Sequence, residues 1–178
     1  PDTDVKILTS NDWQTIEPDF SIDVFIRCLP EQSQMDAAYG HKKMFTEHFG
    51  VYASPHFNLH NKINLIAMQS GDLVYDSINW AQWLKQYPHA SLKSADLRHF
   101  DSEHGMIQAA ISGYGLVLAS NVLVSKSLEQ GLLKALFPQQ TLPWHEHYYA
   151  LYRSGRERHT AVATLLSWLE KQAQSHVV

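Results

Sequence analysis

Apolar residues along the chain gather into short runs of strand length: DVKILTS (4–10), IDVFIRCL (22–29), KMFTEHFGVYAS (43–54), NLIAM (64–68), LRHF (97–100), GLVLAS (115–120) and HYYALYR (147–153). Other segments carry the 3.6-residue period of a helix. In WAQWLKQY (80–87), Trp80, Trp83, Leu84 and Tyr87 stand at i, i+3, i+4 and i+7 and form one apolar stripe. HGMIQAAISG (104–113) and NVLVSKSLEQG (121–131) stop at Gly113 and Gly131, the residue type that most readily closes a helix. TAVATLLSWLEKQA (160–173) sets Val162, Leu165, Leu166 and Leu169 on one side. Short strands alternating with helices predict a largely parallel α/β sheet rather than a sandwich. No internal repeat or low-complexity segment interrupts the pattern.

Composition narrows this picture. The 178 residues and 44% apolar content fit one domain, or two small lobes sharing a chain, with enough core to bury. A net charge of −4 gives no basic footprint, which argues against this segment gripping nucleic acid by itself. The single cysteine, Cys28, rules out a disulfide within the chain and favours a reducing compartment. No run approaches the roughly 18 apolar residues of a membrane span, and no secretory leader is visible. The chain opens inside a strand-like run, PDTDVKILTS, so its natural beginning is expected further upstream.

Two breaks in compactness are expected. One lies near Ser54-Pro55, where an apolar run gives way to HFNLHNKIN, and the other at the turn around Pro143 before HYYALYR. A middle segment held between two crossings, with the chain ends meeting in the other lobe, is the plan of the type-2 periplasmic-binding-protein fold. The local motifs agree. PDTDVKILTS followed by IDVFIRCL resembles the PDVxLxL…DLAIR passage of LysR-type regulators, and FGVYASP resembles their crossing strand. HFDSEHGMIQAAISGYGLVLAS resembles their FDSxxxxxxAAxxGxGxAL segment, and NVLVSKSLEQGLLKALFP the LVxxxLxxGxLxxLF run that follows. HYYALYRSGRERHTAVATLLSWL resembles YYLVYPxxxxxxPAVxxFxxWL. The chain is thus similar, over nearly its whole length, to the effector-binding domain of LysR-type regulators, in the glycine-cleavage-activator branch that includes the β-lactamase regulators.

That resemblance implies a two-lobed α/β fold joined by two crossing strands. Lobe I is residues 1–48, its first strand and helix missing, with 147–178 as its return strand and C-terminal helix; lobe II is 49–146. It implies a cytoplasmic sensor that takes a small-molecule effector between the lobes, without catalysis or a cofactor. It implies a homodimer or tetramer, side by side through the final helix (160–172) or the helix after Asn11. It also implies DNA contact only through an N-terminal winged helix-turn-helix absent from this chain, and no membrane. The alternative is an extracytoplasmic solute-binding protein of the same fold, against which the LysR-like ending SKSLEQGLLKALFP to LLSWLEK speaks.

Candidate binding residues follow from strand ends and helix starts, where unpaired N–H groups and the helix dipole favour polar or anionic ligands. The helix 103–112 has Asp101 or Ser102 as its N-cap. The resemblance puts Ser102 where relatives face the effector; capping alone is the other role open to it. Glu103 suits the first turn, yet would repel an anion if it faced the ligand. Thr9, Ser10 and Asn11 end the first strand-like run and either bind or cap the next helix. Arg27 can grip a carboxylate bidentately or form a structural ion pair. Tyr52, Ser54 and His56 are placed by the resemblance where the crossing strand passes the cleft. Tyr149 lies on the returning strand, where relatives carry an aromatic, and otherwise belongs to the core.

Other chemistry is weaker. His56 and His60 stand four apart in a poor helix, and His145 and His147 offer two ligands on one strand face without a third, so no metal site is expected. Cys28 in an apolar strand reads as a small core residue rather than a nucleophile. Gly113-Tyr114-Gly115 is too short for a phosphate loop. The tryptophans fit helix stripes and core better than a carbohydrate platform, although Trp13 lies near the expected ligand site.

Overall fold

The computed structural model describes residues 4–8, 22–30, 37–59, 62–69 and 77–175. The candidates Thr9, Ser10 and Asn11, with Trp13 and His60, lie outside them. In chain order the elements are β1 (Val24–Pro30), β2 (Tyr39–Phe45), β3 (His48–Ala53), β4 (Asn64–Met68), α1 (Trp80–Gln86), β5 (Asp96–Phe100), α2 (Glu103–Ile111), β6 (Leu116–Ser120), α3 (Asn121–Glu129), β7 (Lys134–Ala135), β8 (Leu142–Pro143), β9 (Glu146–Arg153) and α4 (Thr160–Ser175). The chain divides into two compact units: Pro1–Thr46 with His145–Val178, here unit 1, and Glu47–Trp144, unit 2. The chain changes unit at Thr46–Glu47 and again at Trp144–His145, two residues before the 48/49 and 146/147 junctions read from the sequence.

Unit 1 is built on β9, which pairs antiparallel with β1 on one side and β2 on the other. Alternation along the strands separates two faces. On one, Phe25, Tyr149 and Leu151 cluster with Ile22, Leu29 and Tyr39. On the other, Ala150 and Tyr152 pack with Val162 and Leu166 of α4, joined by Val24 and Met44. Val162 and Leu166 are thus the buried members of the predicted helix stripe, while Leu165 and Leu169 are half-buried. Lys42 of β2 reaches Glu170 of α4 at 2.8 Å.

Unit 2 carries a six-stranded sheet in the order β5-β4-β6-β3-β7, with β8 also on β3. β4 runs parallel to β5 and β6, whereas β3 runs antiparallel to β6, β7 and β8. Every residue of β6 is buried, as its unbroken apolar run requires of a strand covered on both faces. α1 is anchored by its tryptophans. The Trp80 indole donates to the Ile66 carbonyl at 2.8 Å, and that of Trp83 to the Gln140 carbonyl at 2.9 Å. His89 stacks on Trp83, and Tyr87 donates to the Thr141 carbonyl, so the loop after α1 closes against residues 137–141. α2 and α3 stop where expected, at Gly113 (φ 82°) and Gly131 (φ 68°), both left-handed.

The structure corrects several expectations. The sheets are not largely parallel: among the described residues unit 1 pairs antiparallel and unit 2 is mixed. Pattern reveals strands but not the direction of their partners, which the long-range chain path sets. The run 43–54 is two strands, β2 and β3, interrupted at Thr46 and Glu47 where the chain changes unit. Residues 4–8 form no strand, and Val5, Ile7 and Leu8 are exposed. Trp80, Trp83 and Trp144 are buried, but Trp168 on α4 is 55% exposed and belongs to no core.

Trp83 is fully buried among Trp80, Tyr87, His89 and Phe137. Trp83→Ala is therefore expected to cost about 3–5 kcal/mol of unit 2 stability, read as a lower denaturation midpoint.

Candidate functional site

The parallel strands of unit 2 fix one edge of its sheet. Because β4, β5 and β6 run together, their carboxyl ends at Met68, Phe100 and Ser120 share an edge. The Gln69 amide donates to the Phe100 carbonyl there at 2.7 Å. Since β3 runs the other way, its amino end comes to the same edge, with Phe49 opposite Ser120 and His48 opposite Pro143 of β8. Two helix starts project there: α2, capped by Ser102, and α3, capped by Ser120. The carboxyl edge of a parallel sheet is where α/β proteins hold ligands, because loops and helix N–H groups converge.

Ser102 takes the capping role that the sequence left open. Its Oγ accepts from the Gly105 amide at 3.2 Å, and the side chain is exposed. Glu103 follows in the first turn, half-buried. Ser120 is 1% exposed, and its Oγ accepts from the Val122 amide at 3.2 Å while donating to Glu47 Oε1 at 2.8 Å. Beside it, the Asn121 Oδ1 accepts from the His48 amide at 2.9 Å.

Glu47 is the residue that sequence reasoning missed. It is the first residue of unit 2 and only 8% exposed. Its carbonyl accepts from the amide of Trp144, the last residue of the unit, at 2.8 Å. Burial raises its carboxyl above the usual carboxylate range, Glu103 adds to the rise by like-charge repulsion, and the Ser120 hydrogen bond partly opposes both. The signal was present: a Thr-Glu-His triplet interrupts an otherwise apolar run, and a charged residue inside such a run marks either a break or a function.

The remaining candidates fall elsewhere. Tyr52 pairs with Val117, near the opposite edge of the sheet, and projects from the other face of β3 than Phe49. It is 5% exposed, and burial pushes its hydroxyl up to about 12. Ser54 is buried beyond the end of β3, and His56 is exposed in the turn that follows. A six-residue strand extends about 20 Å, so these three are not gathered with Ser102, Glu103 and Glu47.

In unit 1, Arg27 and Tyr149 are direct cross-strand partners, with Lys43 on the far side of Tyr149. The Arg27 guanidinium lies 5.5 Å over the Phe25 ring, and its Nη1 donates to the Ile26 carbonyl at 2.9 Å. Its Nε is buried with no hydrogen-bond partner among the described residues. Tyr149 is buried, edge-on to His41 and to His147, and His147 Nδ1 shares a hydrogen with Thr46 Oγ1 at 2.6 Å. Both Arg27 and Tyr149 thus have structural contacts of their own. Cys28 is half-buried on the same strand as Arg27. No group of three or more His, Cys, Asp or Glu able to hold a metal ion occurs among the described residues. No helix among them is long and apolar enough to cross a membrane.

Comparison with known proteins gives a consistent result. The family model for the LysR substrate binding domain matches residues 1–174. The HTH-type transcriptional regulator DsdC of Escherichia coli K12 is 28% identical over 96 residues, which are 54% of this chain and 30% of DsdC. The chain thus spans about a third of the length of that curated relative. Among solved structures, the AmpR effector binding domain from Citrobacter freundii superposes with a TM-score of 0.55 at 17% identity, covering 88% of this chain and 76% of that one. The effector domain of the transcriptional regulator AmpR of Pseudomonas aeruginosa gives 0.52 at 19% identity, over 88% and 74%. The regulatory domain of HypT from Salmonella typhimurium gives 0.52 at 16% identity, over 88% and 75%. These likenesses establish the periplasmic-binding-protein-like fold.

Ser120 serves two partners at once, the α3 cap and Glu47. Ser120→Ala is expected to lower stability by about 1–3 kcal/mol, measured by chemical denaturation, while Ser102→Ala, an exposed cap, should cost about 1 kcal/mol or less.

Proposed function

The chain belongs to the LysR substrate-binding domain family, and from that premise we propose that it is the effector-sensing part of a LysR-type transcriptional regulator. The match of the family model over 1–174 carries this reading, and the likeness to the effector domains of AmpR supports it. The family is one of transcriptional regulators. The matches reported above lend nothing to the solute-binding alternative.

In this reading the domain binds a small metabolite and performs no catalysis. Ser102 and Glu103, at the start of α2, contribute polar contacts to it, and Arg27 and Tyr149 are further proposed contacts. Thr9, Ser10 and Asn11 remain proposed contacts of the same ligand, while Tyr52, Ser54 and His56, carried by β3 toward the other edge of the sheet, are not proposed with them. The exposed Ser102 hydroxyl and the N–H groups of the first helical turn support a role in holding an oxygen-bearing group. The effector acts through its differential affinity for two arrangements of the regulator, and the size of the response is set by that difference. DNA is contacted by a winged helix-turn-helix elsewhere in the full protein, which works in the cytoplasm as a homodimer or tetramer. The final helix or the segment after Asn11 supplies the contact between copies.

Ser102→Trp tests the site. A bulky ring at an exposed cap position leaves the core untouched, so far-ultraviolet circular dichroism should match the parent. A transcriptional reporter driven by the full-length regulator is expected to lose its effector response. A reporter that responds normally would remove Ser102 from the ligand site.

A further inference from the structure

Two neighbouring side chains of unit 1 hold hydrogen-bond donors that nothing accepts. Tyr149, midway along β9, is 6% exposed. Its ring stands edge-on to His41 and His147, with centroids 6.1 and 6.4 Å away, and its hydroxyl has no hydrogen-bond partner among the described residues. A buried tyrosine hydroxyl normally finds one. Its cross-strand neighbour Arg27 is in the same condition. Nη1 donates to the Ile26 carbonyl at 2.9 Å, Nε is buried without a partner, and no carboxylate pairs with the guanidinium among the described residues. The unused edge, Nε with Nη2, is the one that meets both oxygens of a carboxylate side by side.

The surroundings set the sign of what can enter. Residues directly opposite one another share a face of the sheet, so Arg27, Tyr149 and Lys43 form one row. His41 and His147 lie on the same face, each two residues from a member of that row. No Asp or Glu of β1, β2 or β9 joins them. Glu146, the acidic residue of these strands, is three positions from Tyr149 and falls on the face that packs α4. By contrast, Glu103 makes the start of α2 a poor host for an anion. At rest the Arg27 guanidinium lies over the Phe25 ring at 5.5 Å. That contact holds more weakly than a charge-assisted bidentate pair, so a carboxylate draws the guanidinium off the ring and gives Nε the partner it lacks.

We propose that Arg27 and Tyr149 form a carboxylate-binding site: Arg27 takes both oxygens through Nε and Nη2, and the Tyr149 hydroxyl donates to one of them. Lys43, on the far side of Tyr149, raises the local positive potential. This deepens the proposed function by naming the chemical class of the group that these two residues hold. It rests on that reading only in assigning the carboxylate to the effector; the site itself stands on contacts within unit 1.

The test is a titration of the full-length protein, labelled with nitrogen-15 at arginine, with sodium acetate against sodium chloride at equal ionic strength. The Nε–H resonance of Arg27, identified by its loss in Arg27→Lys, is followed. Acetate should shift it to saturation, whereas chloride and the neutral isostere acetamide should not. Tyr149→Phe keeps the ring and removes only a hydroxyl that has no partner in the protein. It should therefore match the parent in denaturation midpoint without acetate, yet bind acetate about tenfold or more weakly. An Arg27 resonance that does not saturate with acetate, or an unchanged affinity in Tyr149→Phe, would overturn the proposal. Saturable binding weakened in Tyr149→Phe supports it whatever the transcriptional reporter shows. If Arg27→Lys then leaves the effector response of the reporter intact, the carboxylate site stands and the assignment of Arg27 to the effector falls.

Discussion

Burial of β6 on both faces is the constraint from which the arrangement of unit 2 follows. Leu116, Val117, Leu118 and Ala119 are at most 2% exposed, between β4 on one side and β3 on the other. A strand so enclosed must hydrogen-bond along both edges and be covered above and below. Its parallel pairing with β4 then sends the carboxyl ends of both strands to one edge, and the helices that follow β5 and β6 begin there. Ser102, Glu103 and Ser120 are brought to that edge as a product of packing, and the antiparallel β3 delivers Glu47 to the same place.

Glu47 joins core, capping and chain path. Its carboxyl shares a hydroxyl with the α3 cap, and its carbonyl meets the residue where the chain leaves the unit. Local propensity and burial are mutually consistent along most of the described residues, and this is a place where they conflict. A neutral isostere would satisfy Ser120 without the cost of burying a charge. Such conflicts tend to mark positions kept for a reason other than stability.

The parts of this structure that sequence could disclose are those set by local periodicity. β4 at 64–68 and the α1 stripe were legible because alternation and the 3.6 period act within a few residues. The ends of α2 and α3 were legible because Gly113 and Gly131 are needed for their left-handed conformation. Ser102 showed itself as a cap by its place before an apolar helix. What stayed hidden depends on distant partners. The direction of β9 against β1 and β2 is invisible in HYYALYR. Apolar character in DVKIL did not produce a strand at 4–8, since residues pair only where another strand runs beside them. Tyr52 and Ser54 looked adjacent to Ser102 in a crossing strand, but the chain changes unit five residues earlier than Tyr52, at Glu47, and β3 carries them to the opposite edge.

The proposed function makes this chain one part of a larger regulator, and that claim is checked outside the domain. The measurement is the coding DNA immediately upstream of Pro1, read through to its start codon. The account predicts a winged helix-turn-helix and a linker helix, followed by one further strand and helix before Pro1. A secretion leader followed only by that strand and helix would contradict it and make the protein an extracytoplasmic binder.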